Sequence, residues 1–86
     1  MQAKSIKNVR FVTVEELIKM LSDMIPDVDF ENEKELVTGH VIDSFDIISI
    51  VNELNKKYDI KIKVNDMTPE NFDSAEAMLG LIDRLK

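Results

Sequence analysis

The stretch Asp43-Ser44-Phe45-Asp46-Ile47-Ile48-Ser49-Ile50-Val51-Asn52-Glu53-Leu54-Asn55-Lys56-Lys57-Tyr58 decides the fold. Asp43 and Ser44 are both suited to open a helix, and Asp46 places negative charge in its first turn. Lys56 and Lys57 fall in the last turn, where they complement the opposite end of the helix dipole. At 3.6 residues per turn, Ile47, Ile50, Val51, Leu54 and Tyr58 share an arc of about 100°, which is one sufficient core face. Phe45 and Ile48 lie off that arc, on the side of Asn52 and Asn55, with Phe45 almost opposite its centre. Either these two residues pack beneath a neighbouring loop, or they form an exposed docking surface at a helix start.

The flanking segments predict two further helices of similar length. Upstream, Thr13-Val14-Glu15-Glu16 fits a reciprocal capping box, and Val14, Leu17, Ile18, Leu21 and Ile25 recur on one helical face. Pro26 ends that helix, because it lacks an N–H and disfavours helical geometry at Ile25. Downstream, Thr68-Pro69 opens a short helical turn through Phe72. Asp73-Ser74-Ala75-Glu76 then caps a last helix, whose expected apolar face is Ala75, Met78, Leu79, Ile82 and Leu85. Residues 59–65 alternate strictly, but a lone short strand has no partner. The segment is therefore expected to be an extended linker that buries Ile60, Ile62 and Val64.

Between the first two helices lies a long connection, Pro26 to Asp43, with Phe30, Leu36, Val37, Val41 and Ile42 as expected anchors and Gly39 as a flexible turn. It carries five carboxylates and one lysine between residues 27 and 36, which reads as a solvated surface. The spacing does not match a calcium-binding EF-hand loop. The expected architecture is all-α: a small bundle of three main helices and one short helix, with a long loop between helices 1 and 2.

Composition narrows the function classes. A chain of 86 residues has room for one modest core and little for an enzyme cleft. Five aromatic residues and no Trp make that core largely aliphatic. The absence of Cys excludes disulfides and thiolate metal sites, and a single histidine, His40, argues against structural zinc. A formal charge of −6 opposes nucleic-acid binding. Residues 1–12 hold Lys4, Lys7 and Arg10 against no acid, and form a basic arm that is either anchored by Phe11 and Val12 or partly disordered. No apolar signal region follows that arm, and no run is long enough to span a membrane. A soluble, cytoplasmic monomer is expected.

Ser44 has two readings. A serine at a helix start is usually an N-cap. The same position suits a covalently attached phosphate, because free N–H groups and the positive end of the dipole favour the anion there.

The segment Gly39-His40-Val41-Ile42-Asp43-Ser44-Phe45-Asp46-Ile47-Ile48 resembles the phosphopantetheine attachment motif of acyl carrier proteins, with Phe45 standing where that family has Leu. Leu54 to Ile62 and Glu70-Asn71-Phe72-Asp73-Ser74 resemble two more of the family's blocks, in matching order. The resemblance covers about Thr13 to Leu85 and implies an acyl-carrier-like bundle, with residues 13–86 as the carrier domain. It further implies a 4′-phosphopantetheine arm on Ser44, taken from coenzyme A by a phosphopantetheinyl transferase, with Asp43 presenting the site to that enzyme. Acyl or aminoacyl groups would be held as thioesters and passed between loading ligases or synthases, with Phe45, Asp46, Ile48 and Asn52 meeting partners. The carrier itself would catalyse nothing. Fatty-acid carriers are typically acidic along the second helix, whereas here Asp46 and Glu53 are balanced by Lys56 and Lys57. That balance points to a specialised stand-alone carrier, with D-alanyl and peptidyl carriers as alternatives. Two other classes compete. One is a hydrolase with Ser44 and His40 as nucleophile and base, which lacks the Gly-x-Ser-x-Gly elbow. The other is an unmodified helical adaptor.

Overall fold

The computed structural model describes residues 13–86. The basic arm assigned to residues 1–12 lies outside them. Four helices follow in order: α1 (Val14–Met24), α2 (Ser44–Tyr58), the short α3 (Pro69–Phe72) and α4 (Ala75–Leu85), with a 3-10 turn at Val64–Asp66. Among the described residues there is no strand, and no helix is long and apolar enough to cross a membrane. The fold is a small helical bundle in which α4 lies against both α1 and α3.

The helix boundaries follow local chemistry. The Thr13 hydroxyl accepts from the Glu16 N–H at 3.2 Å, which supplies the Thr13 half of the expected capping box. Helix α1 stops at Met24, and Ile25 ahead of Pro26 is already non-helical. Helix α2 ends at Asp59, a non-glycine residue in left-handed geometry (φ 56°), which aspartate tolerates better than most side chains. At the start of α3, the Thr68 carbonyl rather than its hydroxyl receives the N–H groups of Asn71 and Phe72.

Leu17 and Leu21 of α1, Ile50, Val51 and Leu54 of α2, Phe72 of α3, and Ala75, Met78, Leu81 and Ile82 of α4 form the centre of the core. Phe30, Leu36 and Ile42 of the long loop join them. Ile47 and Tyr58 pack half-buried at the margin, so the face expected of α2 is the one it uses. In α4 the buried face is wider than expected. Leu81, absent from the expected set, is buried, while Leu79 and Leu85 are only half-buried. A helix covered by two neighbours can bury more than a single narrow stripe.

Three expectations about the connections need correction. Ile60 and Ile62 are buried, but Val64 is 79% exposed, because the chain leaves its extended path there and turns. Val41 is not a buried anchor; it is 37% exposed. Gly39 is needed for closeness rather than flexibility: its N–H reaches Glu35 O at 2.7 Å, and a Cβ there would lie 2.8 Å from that oxygen. The left-handed residue of the turn is His40 (φ 60°).

Asp73 and Glu76 do not form a capping box either. Ser74 is the N-cap of α4, accepting from the Ala77 N–H at 3.0 Å. Asp73 is thereby released to hold the long loop. One carboxylate oxygen, Oδ1, accepts from the N–H groups of Val37 (2.9 Å) and Thr38 (2.8 Å). The other, Oδ2, accepts from the Thr38 hydroxyl at 2.6 Å. The Asp73 carbonyl takes the Leu36 N–H at 2.9 Å. Glu76 reaches the same loop through an ion pair with Lys34 at 2.8 Å. That pair is exposed and adds little, whereas hydrogen bonds to a carboxylate are among the stronger kind. Asn55, expected on the outer face of α2, is a second clamp: its Oδ1 accepts from the Ile62 N–H at 2.8 Å and fixes the linker.

Two outcomes are expected from this packing. Leu54→Ala removes methyl groups from a fully buried site and should cost about 2–5 kcal/mol in chemical denaturation; an unchanged midpoint would mean that Leu54 does not sit in the core. The second concerns acid. Bonds from Thr38 hold the Asp73 carboxyl below its ordinary value of 3.8, and the Lys34 contact holds Glu76 below 4.5. Both stabilisations are complete above those ordinary values and are lost as pH falls through the lowered native ones. Asp73→Asn should therefore flatten the loss of stability below about pH 4, with a residual slope from Glu76 and other carboxylates. Melting curves across that range that run parallel to wild type would contradict the assignment.

Candidate functional site

The start of α2 is built by two aspartates. The Asp43 Oδ1 accepts from the Asp46 N–H at 2.9 Å, and the Asp46 Oδ2 accepts from the Asp43 N–H at 3.1 Å. This reciprocal box makes Asp43 the N-cap and places Ser44 at the first helical residue. The cap explanation for Ser44 is thereby removed, since another side chain does that work. Ser44 is exposed, and among the described residues its hydroxyl makes no hydrogen bond. The first turn of α2 presents backbone N–H groups and the positive end of the dipole, with two carboxylates close by.

Exposure separates the two readings of Phe45 and Ile48. Phe45 is 80% exposed and Ile48 49% exposed, so neither is covered by the loop. Phe45, Ile48 and Asn52 follow one another at i, i+3 and i+7, which makes them a row along one face of α2. Asn52 is exposed as well, and the exposed Val41 lies just ahead of Ser44 in the chain. Asp46 is not part of that row: it lies about a quarter-turn beyond Phe45 on the wheel, with its carboxylate engaged in the cap. Asp43, Ser44 and Phe45 thus lie at the start of α2, and Ile48 and Asn52 continue along the Phe45 side towards its middle.

His40 belongs to the turn that leads into this site. Its Nδ1 lies 3.3 Å from the Thr38 carbonyl, and among the described residues no hydrogen bond joins its ring to Ser44. Sequence reading overlooked Val41 as part of the exposed apolar surface and Asp73 as the residue that holds the approach to Ser44. The first had no sequence signal, since the left-handed residue of the turn is His40 and not the neighbouring glycine. The second had no local signal, because its partners lie more than thirty residues upstream.

The residues at this site fit an O-linked phosphopantetheine. An exposed primary hydroxyl that does not cap its helix, and makes no hydrogen bond among the described residues, is free to form a phosphodiester. Compared with models of known protein families, with curated proteins and with solved structures, the chain finds no match.

Phe45→Ala should leave stability within about 0.5 kcal/mol of wild type, because the side chain contributes almost nothing to the core. Thermal melting of this variant checks the geometry directly. A substantial drop would return Phe45 to the interior.

Proposed function

We propose that this chain is a carrier protein of the acyl carrier type, bearing 4′-phosphopantetheine on Ser44. The observation that carries the reading is an exposed serine hydroxyl, without a hydrogen bond among the described residues, on the first residue of a helix already capped by Asp43. The resemblance of Gly39–Ile48 to the family's attachment motif supports it, as does the order of three main helices, one short helix and a long first loop.

Each residue has a part in this reading. The Ser44 Oγ would bond to the pantetheine-side phosphorus of coenzyme A as the P–O bond to the nucleotide half breaks, so that adenosine 3′,5′-bisphosphate leaves and the Ser44 proton passes to a base of the transferase. Asp43 fixes the direction of the first turn through its cap and presents Ser44 to that enzyme. Phe45, Ile48 and Asn52 offer a partner a short apolar row with a polar end, the kind of exposed aromatic anchor that contributes strongly to binding. An arm held by Ser44 would supply a terminal thiol able to carry acyl or aminoacyl groups. The protein supplies placement and recognition, and the chemistry belongs to its partner enzymes, a transferase followed by loading ligases or synthases in the cytoplasm.

The charge of α2 narrows the partner class. Asp46 is occupied in the cap, and Glu53 lies 3.8 Å from Lys56, so the helix presents no acidic stripe to a basic enzyme surface. A specialised stand-alone carrier with more apolar docking fits this better than a fatty-acid carrier. D-alanyl and peptidyl carriers are the alternatives.

Intact mass after incubation with coenzyme A and a broad-specificity transferase tests the reading. Wild type should gain one phosphopantetheine, and Ser44→Ala should gain none while melting within about 0.5 kcal/mol of wild type, because Ser44 is not the cap. A wild-type chain that stays unmodified would favour an adaptor that uses the same exposed row without a prosthetic group.

A further inference from the structure

Two sets of hydrogen bonds connect the start of α4 to the start of α2. The first is the grip of Asp73 on Leu36, Val37 and Thr38. The second begins where the first ends: the Leu36 carbonyl accepts from both Val41 (2.9 Å) and Ile42 (3.0 Å). Between them the chain is closed by Gly39 N–H to Glu35 O at 2.7 Å and His40 N–H to Val37 O at 3.0 Å. Residues 35–42 are thus a knot of short-range bonds anchored at one end by Asp73. Its other end is Ile42, a buried residue directly ahead of the Asp43 cap and Ser44.

This wiring has a direction. Leu36 and Ile42 are buried and hold the knot to the core, but apolar contacts are non-directional and do not set the path of the chain. The directional bonds to another element run through Asp73. Among the described residues no hydrogen bond joins Asp73 to Ser44 or to the exposed row, and the hydrogen-bonded route from Asp73 towards the site runs through residues 36–42.

We infer that Asp73 is a positioning residue for the reaction at Ser44: its bonds to the loop hold the approach to α2 in the geometry that a transferase needs. The inference rests on the carrier reading of Ser44. Reactions that depend on placing a hydroxyl in line with phosphorus are sensitive to small displacements, and a shift of about 1 Å can cost up to about a hundredfold in rate.

The test compares wild type with Asp73→Ala, Asp73→Asn and Leu54→Ala as acceptors for a broad-specificity transferase and coenzyme A. Initial rates are followed by intact mass at a temperature where all four are folded. Hydrogen exchange is measured on the same samples. Asp73→Ala should lose between about tenfold and a hundredfold in kcat/KM. Asp73→Asn keeps an oxygen for the Val37 and Thr38 N–H groups and should recover much of that loss. Exchange in Asp73→Ala should rise at Val41 and Ile42 while Leu17, Leu21 and Ile82 stay protected. Leu54→Ala, destabilised through the core, should be modified at close to the wild-type rate. Should Asp73→Ala prove unfolded, Thr38→Val, which loses the 2.6 Å hydroxyl bond, takes its place: it should be modified more slowly than wild type, and a wild-type rate overturns the inference. So does a wild-type rate in folded Asp73→Ala, or an equal loss in Leu54→Ala, either of which leaves the carrier reading standing. A wild-type chain that accepts no group removes the carrier reading itself, and this inference with it, and is recognised by the unmodified mass of the parent protein.

Discussion

The path of the long first loop depends on the carboxylate of Asp73. The long first loop contributes Phe30, Leu36 and Ile42 to the core, but burial alone leaves its path undetermined. Asp73 supplies the missing direction by accepting three hydrogen bonds through its side chain and a fourth through its carbonyl. It can do so because Ser74 has taken over the capping of α4. The same division recurs at α2, where Asp43 caps and Ser44 is left free. In both places two adjacent polar residues share one helix start, and the one not needed for the helix is available for something else.

Much of the bundle was legible in the sequence because its signals are local. Helix boundaries were set by Thr13, Pro26, Asp43 and Thr68-Pro69, whose effects act within one turn. The core face of α2 followed from period alone, which also put Phe45 off that face. What was not legible depended on contacts between distant residues. Asp73 and Glu76 have the spacing of a capping box, and only the return of residues 34–38 to α4 gives them different partners. Asn55 looked like part of an outer face until the linker folded back onto it. Val64 fitted the alternation of its neighbours and was misplaced because the 3-10 turn changes the chain direction where the pattern would have continued.

The candidate site was legible to a similar degree and for a similar reason. Ser44 and its neighbours sit on one helix, where sequence spacing is geometry. Whether Phe45 and Ile48 were covered depended on the course of the loop, and with it on the knot at residues 35–42. Gly39 is part of that dependence: the carbonyl of Glu35 occupies the space that a side chain would need.

The separation of Asp43 from Ser44 also bears on how such a chain changes over generations. Selection for folding acts on Asp43 and Asp46, which close the start of α2. It has no hold on position 44, where alanine or another helix former would serve the bundle equally well.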